Sequence, residues 1–430
     1  MTLRAALTAV ACLASPALAF QSVHVVNGGS GSALQDAIDA AASGDTVLVH
    51  GGSFSAASIQ GKSLTLIAEP ALGTQVGIVA IGALAANQRC VVAGLDVVPS
   101  ATSPAITVIG CSGSVRLEGL RAVAAANSSS DGLVVAASTD VACVASQLSA
   151  GSQIPSPGPN PTPSFAPGRG VVCQSSQLAL YDCTVSGGDG QSDHFINTFF
   201  ATSGAGVGGS ALECDASSTV LASRSSFSGG DGGLGRALAC VHLPCGLAPT
   251  PGANGGAGVL AAAGANVTVL DCVAQGGAGG SGGSGGQCCP QTTWPNGANG
   301  TPGAAEQGAV THLAGAGTTL VAPSAVRVGN PVALSVLGTP GDTIFLAVSS
   351  QTRFAFDPFY SGVFLFGPAA RRSSFGLVPG SGVLNVSIPV GTLPSGAQSA
   401  VRYLQVLARD PSGQLRLGSP AILTVLDPAF

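Results

Sequence analysis

Residues 170–190, GVVCQSSQLALYDCTVSGGDG, place two short runs of alternating apolar and polar positions around a polar turn and end in a glycine run. Period-two alternation of this kind predicts short strands, each with one face in a core. Variants of the segment recur before and after it. The apolar residue closing the second strand of each copy can be followed as Val98, Val123, Leu148, Val185, Phe227 and Ala274, at steps of 25, 25, 37, 42 and 47 residues. Relative to a 25-residue unit, the insertions are 0, 0, 12, 17 and 22 residues, all in the same part of the unit. A fixed unit lengthened at one place predicts a solenoid. One coil cannot bury its inner face alone, so neighbours must stack about 4.8 Å apart.

Upstream, the period changes. Leu34, Ala37, Ile38 and Ala41 recur at helical spacing, Ser32 or Ser30 can cap them, and Ser43-Gly44-Asp45 ends the run. Strand patterns flank this helix at Val23–Val26, Thr46–His50 and Lys62–Ile67. The whole stretch, ALQDAIDAAASGDTVLVHGGSFSAASIQGKSLTLIAEP, resembles the entry of right-handed parallel β-helix proteins of the pectin-lyase-like group. The resemblance covers about residues 23–320. It implies an all-β fold in which a short amphipathic helix caps the first coil, covering its apolar core and unpaired strand edges. It also implies two chemistries, a calcium-supported lyase mechanism or hydrolysis by paired carboxylates. The hydrolase motifs Asn-Thr-Asp, Asp-Asp and Gly-His-Gly are absent from the sequence.

The three long insertions are rich in glycine. The first leaves at Gly187-Gly188-Asp189-Gly190 and returns through 204–209. The second leaves with Gly229, Gly232 and Gly235 and returns with Gly252, Gly255 and Gly258; the third leaves as GGA GGS GGS GGQ and returns with Gly297, Gly300 and Gly303. Three residues per turn is the period of a polyproline-II-type helix. Paired out-and-back runs on successive coils predict arms that pack as a glycine-rich layer, because glycine lets backbones approach closely. The arm tips carry Asp193-His194-Phe195, Cys240 to Cys245, Cys288-Cys289 and Trp294, and an earlier excursion at 153–167 is rich in proline.

From about Thr318 the glycine arms and cysteines stop. Strand patterns follow at Val332–Leu337, Thr343–Val348, Gly362–Phe366, Val383–Ile388, Tyr403–Arg409 and Ile422–Leu426, separated by turn signals such as Thr339-Pro340-Gly341-Asp342. This spacing predicts an antiparallel β-sandwich over 321–430, similar in layout to immunoglobulin or fibronectin type III modules. The expected fold is therefore all-β, a parallel β-helix over 20–320 with a capping helix and glycine-rich arms, followed by that sandwich.

Composition narrows the functional classes. Charged residues are 8% of the chain, Lys62 is the only lysine and the net charge is −5, which leaves no basic face for nucleic acid. Residues 1–19 read as a secretory signal: Arg4, the apolar run Ala5–Ala14, and Ala17-Leu18-Ala19 as the cleavage pattern. No later run is long and apolar enough to span a bilayer. The expected location is outside the cytoplasm, secreted or at the cell surface. Removing the signal takes Cys12 with it and leaves eleven of the twelve cysteines, expected to be structural and mostly oxidised. Cys111, Ala136, Cys173 and Cys214 align as a column, with Cys173 and Cys214 on adjacent coils within disulfide reach. Cys240 and Cys245 can clip their own tip.

Candidate acids on the elaborated side are Asp189, Asp193 and Asp231, with His194 near them. Asp189 and Asp231 occupy matching SGGDG positions and are expected to stack on neighbouring coils, as turn residues in water or as calcium ligands. Asp182, Arg224 and Asp271 form a charge-neutralising column, and Asp96 with Arg121 an adjacent one. Phe354, Phe356, Phe359 and Tyr360, together with Trp294, can stack on sugars or pack over the fold. The scarcity of acids and the single lysine favour a non-catalytic scaffold that binds extracellular polysaccharide or surface polymer. The alternatives are a polysaccharide lyase or glycoside hydrolase using Asp189, Asp193, His194 and Asp231, and an adhesin or self-associating surface component.

Overall fold

The computed structural model describes residues 21–430 except 70–71, 100–102, 126–127, 153–166, 194–203, 241–246, 290–291 and 369. Three wholly parallel sheets run its length: ten strands from Val23–Val26 to Val310–Leu313, nine from Ser30–Gly31 to Val273–Gln275, and eight from Ala57–Gln60 to Glu306–Gln307. Each complete coil gives one strand to each sheet, while the first and last turns are incomplete. In the coil at 170–186 these are Val171–Gln174, Gln177–Tyr181 and Thr184–Ser186. Stacked parallel sheets of this kind are consistent with a β-helix. Leu34 and Ile38, fully buried on the helix α1 (Ala33–Ala40), belong to the same core as the inward strand residues.

One bend recurs in register. Gly94, Gly119, Ala145, Asp182, Arg224 and Asp271 all have left-handed backbone, at the step from the ten-stranded to the nine-stranded sheet. Glycine accepts that conformation without cost, and aspartate tolerates it better than most residues. The predicted Asp–Arg–Asp column stands at this bend, with Arg224 3.1 Å from Asp182 and 3.8 Å from Asp271. Asp96 and Arg121 are likewise paired in register.

The column of strand-closing residues needs a one-residue correction. It runs Val97, Ala122, Leu148, Val185, Phe227, Ala274, so the step from Ala122 to Leu148 is 26 residues, not 25. The extra residue falls between coils, where the apolar alternation gives no signal. A slip of one reverses the face of every side chain: Val97 is fully buried, whereas Val98 is 42% exposed.

The cysteine column is corrected too. Cys111 lies in line with Ser138, Ser176 and Ser218, each residue's N–H reaching the next hydroxyl at 3.0–3.4 Å. Ala136 pairs with Gln174, while Cys173 pairs with Val135 and Cys214. Cys173 and Cys214 are on adjacent coils but remain free thiols, as do Cys90, Cys111, Cys143, Cys183 and Cys272 among the described residues. Burial pushes the Cys173 and Cys272 thiols up to about 11 and those of Cys90 and Cys214 higher still, so they are poor nucleophiles. They serve as small apolar core residues with a weak polar edge; the Cys272 sulfur accepts the Ser225 N–H at 3.5 Å. Cys240 bonds to Cys288 rather than Cys245, joining the second and third arms across a Cα–Cα distance of 5.2 Å. Cys245 lies outside the described residues.

The arms form a hydrogen-bonded layer in which each leg repeats every three residues. The outgoing legs 187–193, 229–238 and 276–285 stack on one another. Gly187, Gly190 and Asp193 donate to Ser228, Asp231 and Leu234, and Gly229, Gly232 and Gly235 donate to Gln275, Ala278 and Ser281. The returning legs stack in the same way, Gly252, Gly255 and Gly258 donating to Ala298, Thr301 and Ala304. A second set crosses between the two stacks, from Gly303 to Gly277, Gly256, Gly230, Gly209, Gly188 and Gly168 in turn. Two of every three residues thus face backbone and the third faces outward, the pattern of packed polyproline-II-type helices. A Cβ on Gly277 or Gly303 would stand 1.9 Å from a neighbouring carbonyl oxygen. Gly277→Ala is therefore expected to destabilise the protein by about 2–3 kcal/mol, since backbone rather than a flexible side chain must yield. Ser281→Ala, at an exposed outward position, should leave the thermal melt within about 0.5 kcal/mol of the parent. Equal melts for the two variants would contradict the layer.

The C-terminal residues build a three-stranded and a five-stranded sheet around one shared core that includes Leu334, Val336, Leu346, Leu404 and Val406. Strands observed at Val332–Leu337, Thr343–Ser349 and Val383–Ile388 match the sequence pattern, whereas Arg371–Leu377 was not anticipated. The five-stranded sheet, with the hairpin of Ala355–Asp357 and Gly362–Phe364 beside it, also lies on the outer face of the ten-stranded sheet. Leu426 packs on Leu48 and Ile67, Tyr403 and Ile422 on Val91, and Val363 and Leu365 on Ala142, Ala179 and Tyr181. Leu178, Ala179, Leu180 and Tyr181 are consequently all buried, on both faces of the sheet, as continuous apolar runs in parallel sheets require.

Candidate ligand-binding groove

The predicted acids hold the glycine layer together. Asp189 and Asp231 do stand on neighbouring coils. Asp189 Oδ1 accepts the Asp231 N–H at 2.9 Å, and Asp231 Oδ1 accepts the Ala278 N–H at 2.7 Å. Each carboxylate thereby satisfies an outward-facing amide that no neighbouring leg reaches. Ser152 holds Asp189 from the preceding coil, its hydroxyl 3.3 Å from Oδ2. Asp193 is turned into the layer and buried, its Oδ2 accepting the Thr250 hydroxyl at 2.6 Å. His194 lies outside the described residues. Nowhere among the described residues do three His, Cys, Asp or Glu side chains converge in a way that would hold a metal ion.

The aromatic candidates divide between packing and exposure. Phe354 packs against the cluster between the two sheet systems. Tyr360 lies edge-on between Phe359 and Phe364, at ring distances of 5.0 and 5.1 Å. Phe356 and Phe359 are exposed. Trp294 is half-buried on the hairpin formed by Gly286–Cys289 and Thr292–Trp294, far along the chain from these phenylalanines.

A different constellation lines an open groove of about 570 Å³ between the eight-stranded sheet and the returning legs. Asp131 and Arg169 stand one glycine before the strands Leu133–Ala136 and Val171–Gln174, and Glu213 lies within Leu212–Cys214. Parallel pairing stacks these strands, which brings the three side chains together. Arg169 grips Asp131 in a two-pronged contact at 3.0 and 3.1 Å and reaches Glu213 Oε1 at 2.9 Å. Such fork geometry fixes all three groups. Ser210 Oγ donates to Glu213 Oε2 at 3.2 Å, and the Arg169 N–H donates to Asp131 at 2.7 Å. Partial burial works against the Arg169 charge, but the hydrogen bonds and charges of Asp131 and Glu213 outweigh it and raise the guanidinium pKa. Across the groove stand Asn254 and Val207, the latter 53% exposed.

Sequence reading missed this network. Its signal was a charged residue directly before the strand-opening glycine in two successive coils, Asp131-Gly132 and Arg169-Gly170. Glu213 carried no such mark. The arrangement offers hydrogen bonds and an apolar shelf to a hydroxyl-bearing ligand. Its carboxylates are occupied by Arg169, so it presents no free acid–base pair of the kind glycoside hydrolysis requires. In comparisons with known proteins, no family model and no curated protein matched this chain.

Proposed function

We propose that the protein is an exported, non-catalytic β-helix scaffold that binds an extracellular polysaccharide or surface polymer along this groove. The observation that carries the reading is the use of the acids. Asp189 and Asp231 close backbone hydrogen bonds and Asp131 and Glu213 are held by Arg169, while the groove beside them stays open. In this reading the stack is right-handed and pectin-lyase-like, α1 caps its first coil, and the C-terminal sheets are an immunoglobulin-like sandwich. Residues 1–19 are the export signal.

The test is retention of the mature protein on a panel of insoluble acidic and neutral polysaccharides, with and without calcium, while new reducing or unsaturated ends are measured. Retention on at least one polymer without products is expected. Val207→Glu, at an exposed groove position, should weaken it about tenfold with an unchanged melt. Products abolished by Asp189→Ala would replace this reading with the lyase or hydrolase. Neither retention nor products would leave a structural role, with concentration-dependent assembly as its sign.

A further inference from the structure

A second cavity, of about 450 Å³, lies where the C-terminal sheets meet the stack, far from the glycine layer in the fold. Arg89 lines it from the stack side and Arg402, which also borders the neighbouring apolar pocket beside Leu404 and Val425, from the C-terminal side, together with Asn87, Gln351 and Ser399. Its wall holds no aspartate or glutamate. The nearby acids are engaged elsewhere: Asp45 accepts the Ser22 and Ala42 N–H groups and contacts His24, and Asp140 pairs with Arg116 at 2.7 Å. Arg116, Arg169, Arg224, Arg327 and Arg416 all have carboxylate partners. Among the described residues Arg89 and Arg402 have none, and neither do Arg121, Arg353, Arg371, Arg372 and Arg409, but only Arg89 and Arg402 line this cavity.

Each of the two guanidiniums gives one hydrogen bond to a backbone carbonyl, Arg89 to Ser350 at 2.8 Å and Arg402 to Val401 at 3.2 Å. Those bonds orient the side chains and leave most of their five donors free. In a chain of net charge −5 with only 15 cationic residues, two unpaired arginines facing one cavity without acids make a locally positive site.

We propose that this cleft binds a small oxyanion-bearing ligand, its acid group held between Arg89 and Arg402 and its polar body by Asn87 and Gln351; the Ser399 hydroxyl is already engaged by Thr46 at 2.9 Å. Planar guanidinium forks fit carboxylate, sulfate and phosphate alike. The two amides suit a hydroxylated body about the size of one or two sugar rings. Because one arginine comes from each side, the ligand also fastens the C-terminal sheets to the stack.

Calorimetric titration of the mature protein with inorganic phosphate, sulfate, glucuronate and glucose tests the site. Saturable binding of at least one anion, none of glucose and a higher melting temperature in the bound state are expected. Stronger binding of glucuronate than of the inorganic ions would assign the hydroxylated body; the reverse order would assign a bare oxyanion. Arg402→Gln should weaken binding about tenfold or more. Asn87→Asp, at an exposed position that folding tolerates, should weaken it by repulsion with an unchanged melt of the free protein. Absence of saturable anion binding up to about 10 mM, or equal affinity in both variants, would overturn the proposal.

Discussion

Val185→Asp is expected to unfold the stack or to lower its stability by about 4–5 kcal/mol or more. Val185 is buried between Leu148 and Phe227 of the neighbouring coils, and a Cβ on Gly170 would stand 2.6 Å from its Cγ1. A carboxylate there loses the apolar burial of the valine and gains no partner, and if it takes up a proton its hydroxyl still lacks an acceptor. Two further variants test the register. Val97→Asp should be comparably severe, while Val98→Asp, one residue along and 42% exposed, should cost under about 1 kcal/mol. Thermal melts of the three proteins decide it. A severe effect at Val98 with a mild one at Val97 would mean that the coil is displaced by one residue.

Raising the pH from 5 to 9 should weaken the protein through Glu118, and Glu118→Gln should remove that component. Glu118 ends a strand of the ten-stranded sheet and is buried where the C-terminal sheets cover it, its Oε2 accepting the Ile422 N–H at 2.8 Å. Burial pushes its carboxyl up to about 8, and the hydrogen bond from Ile422 offsets part of that rise. The sign follows from proton binding. Between the ordinary carboxylate range and pH 8 the folded protein holds a proton that the unfolded chain has released, so stability falls as pH rises through this window. The favourable contribution is complete below about pH 4.5 and lost above about pH 8, on the order of 4 kcal/mol in all. Glutamine keeps an acceptor for Ile422 without titrating. Melting curves of parent and variant should therefore diverge progressively above pH 5. Parallel curves would show that Glu118 is solvated, and that the C-terminal sheets do not seal it.

Particular residues show how far the fold was legible. The apolar alternation in the second strands from Leu148 to Ala274 placed those coils correctly because a strand with a buried face must repeat every second residue. The same logic gave the Asp182–Arg224–Asp271 column and the stacking of Asp189 on Asp231. It failed at Val98 and Val123, since an added residue in a turn shifts register without changing the alternation around it. It failed for the sulfurs as well. Sequence places Cys173 beside Cys214, but only side-chain directions determine whether two neighbouring thiols become a bond, and the bond that forms, Cys240–Cys288, spans two separate arms.

The candidate groove was less legible than the fold. Asp131, Arg169 and Glu213 are far apart in the chain, and parallel stacking alone brings them together. The anion cleft was beyond sequence reading, because Arg89 and Arg402 meet only when the C-terminal sheets fold back over the stack. The sequence by itself determined the periodicities: two residues for strands, three for the glycine legs, about 25 for the coil. Each is a local constraint, set by which side chains a repeating backbone can bury or must omit. Tertiary structure alone decided which faces are covered, which carboxylates close backbone bonds and which arginines stay unpaired. Those outcomes depend on contacts between segments hundreds of residues apart, for which no local pattern is required.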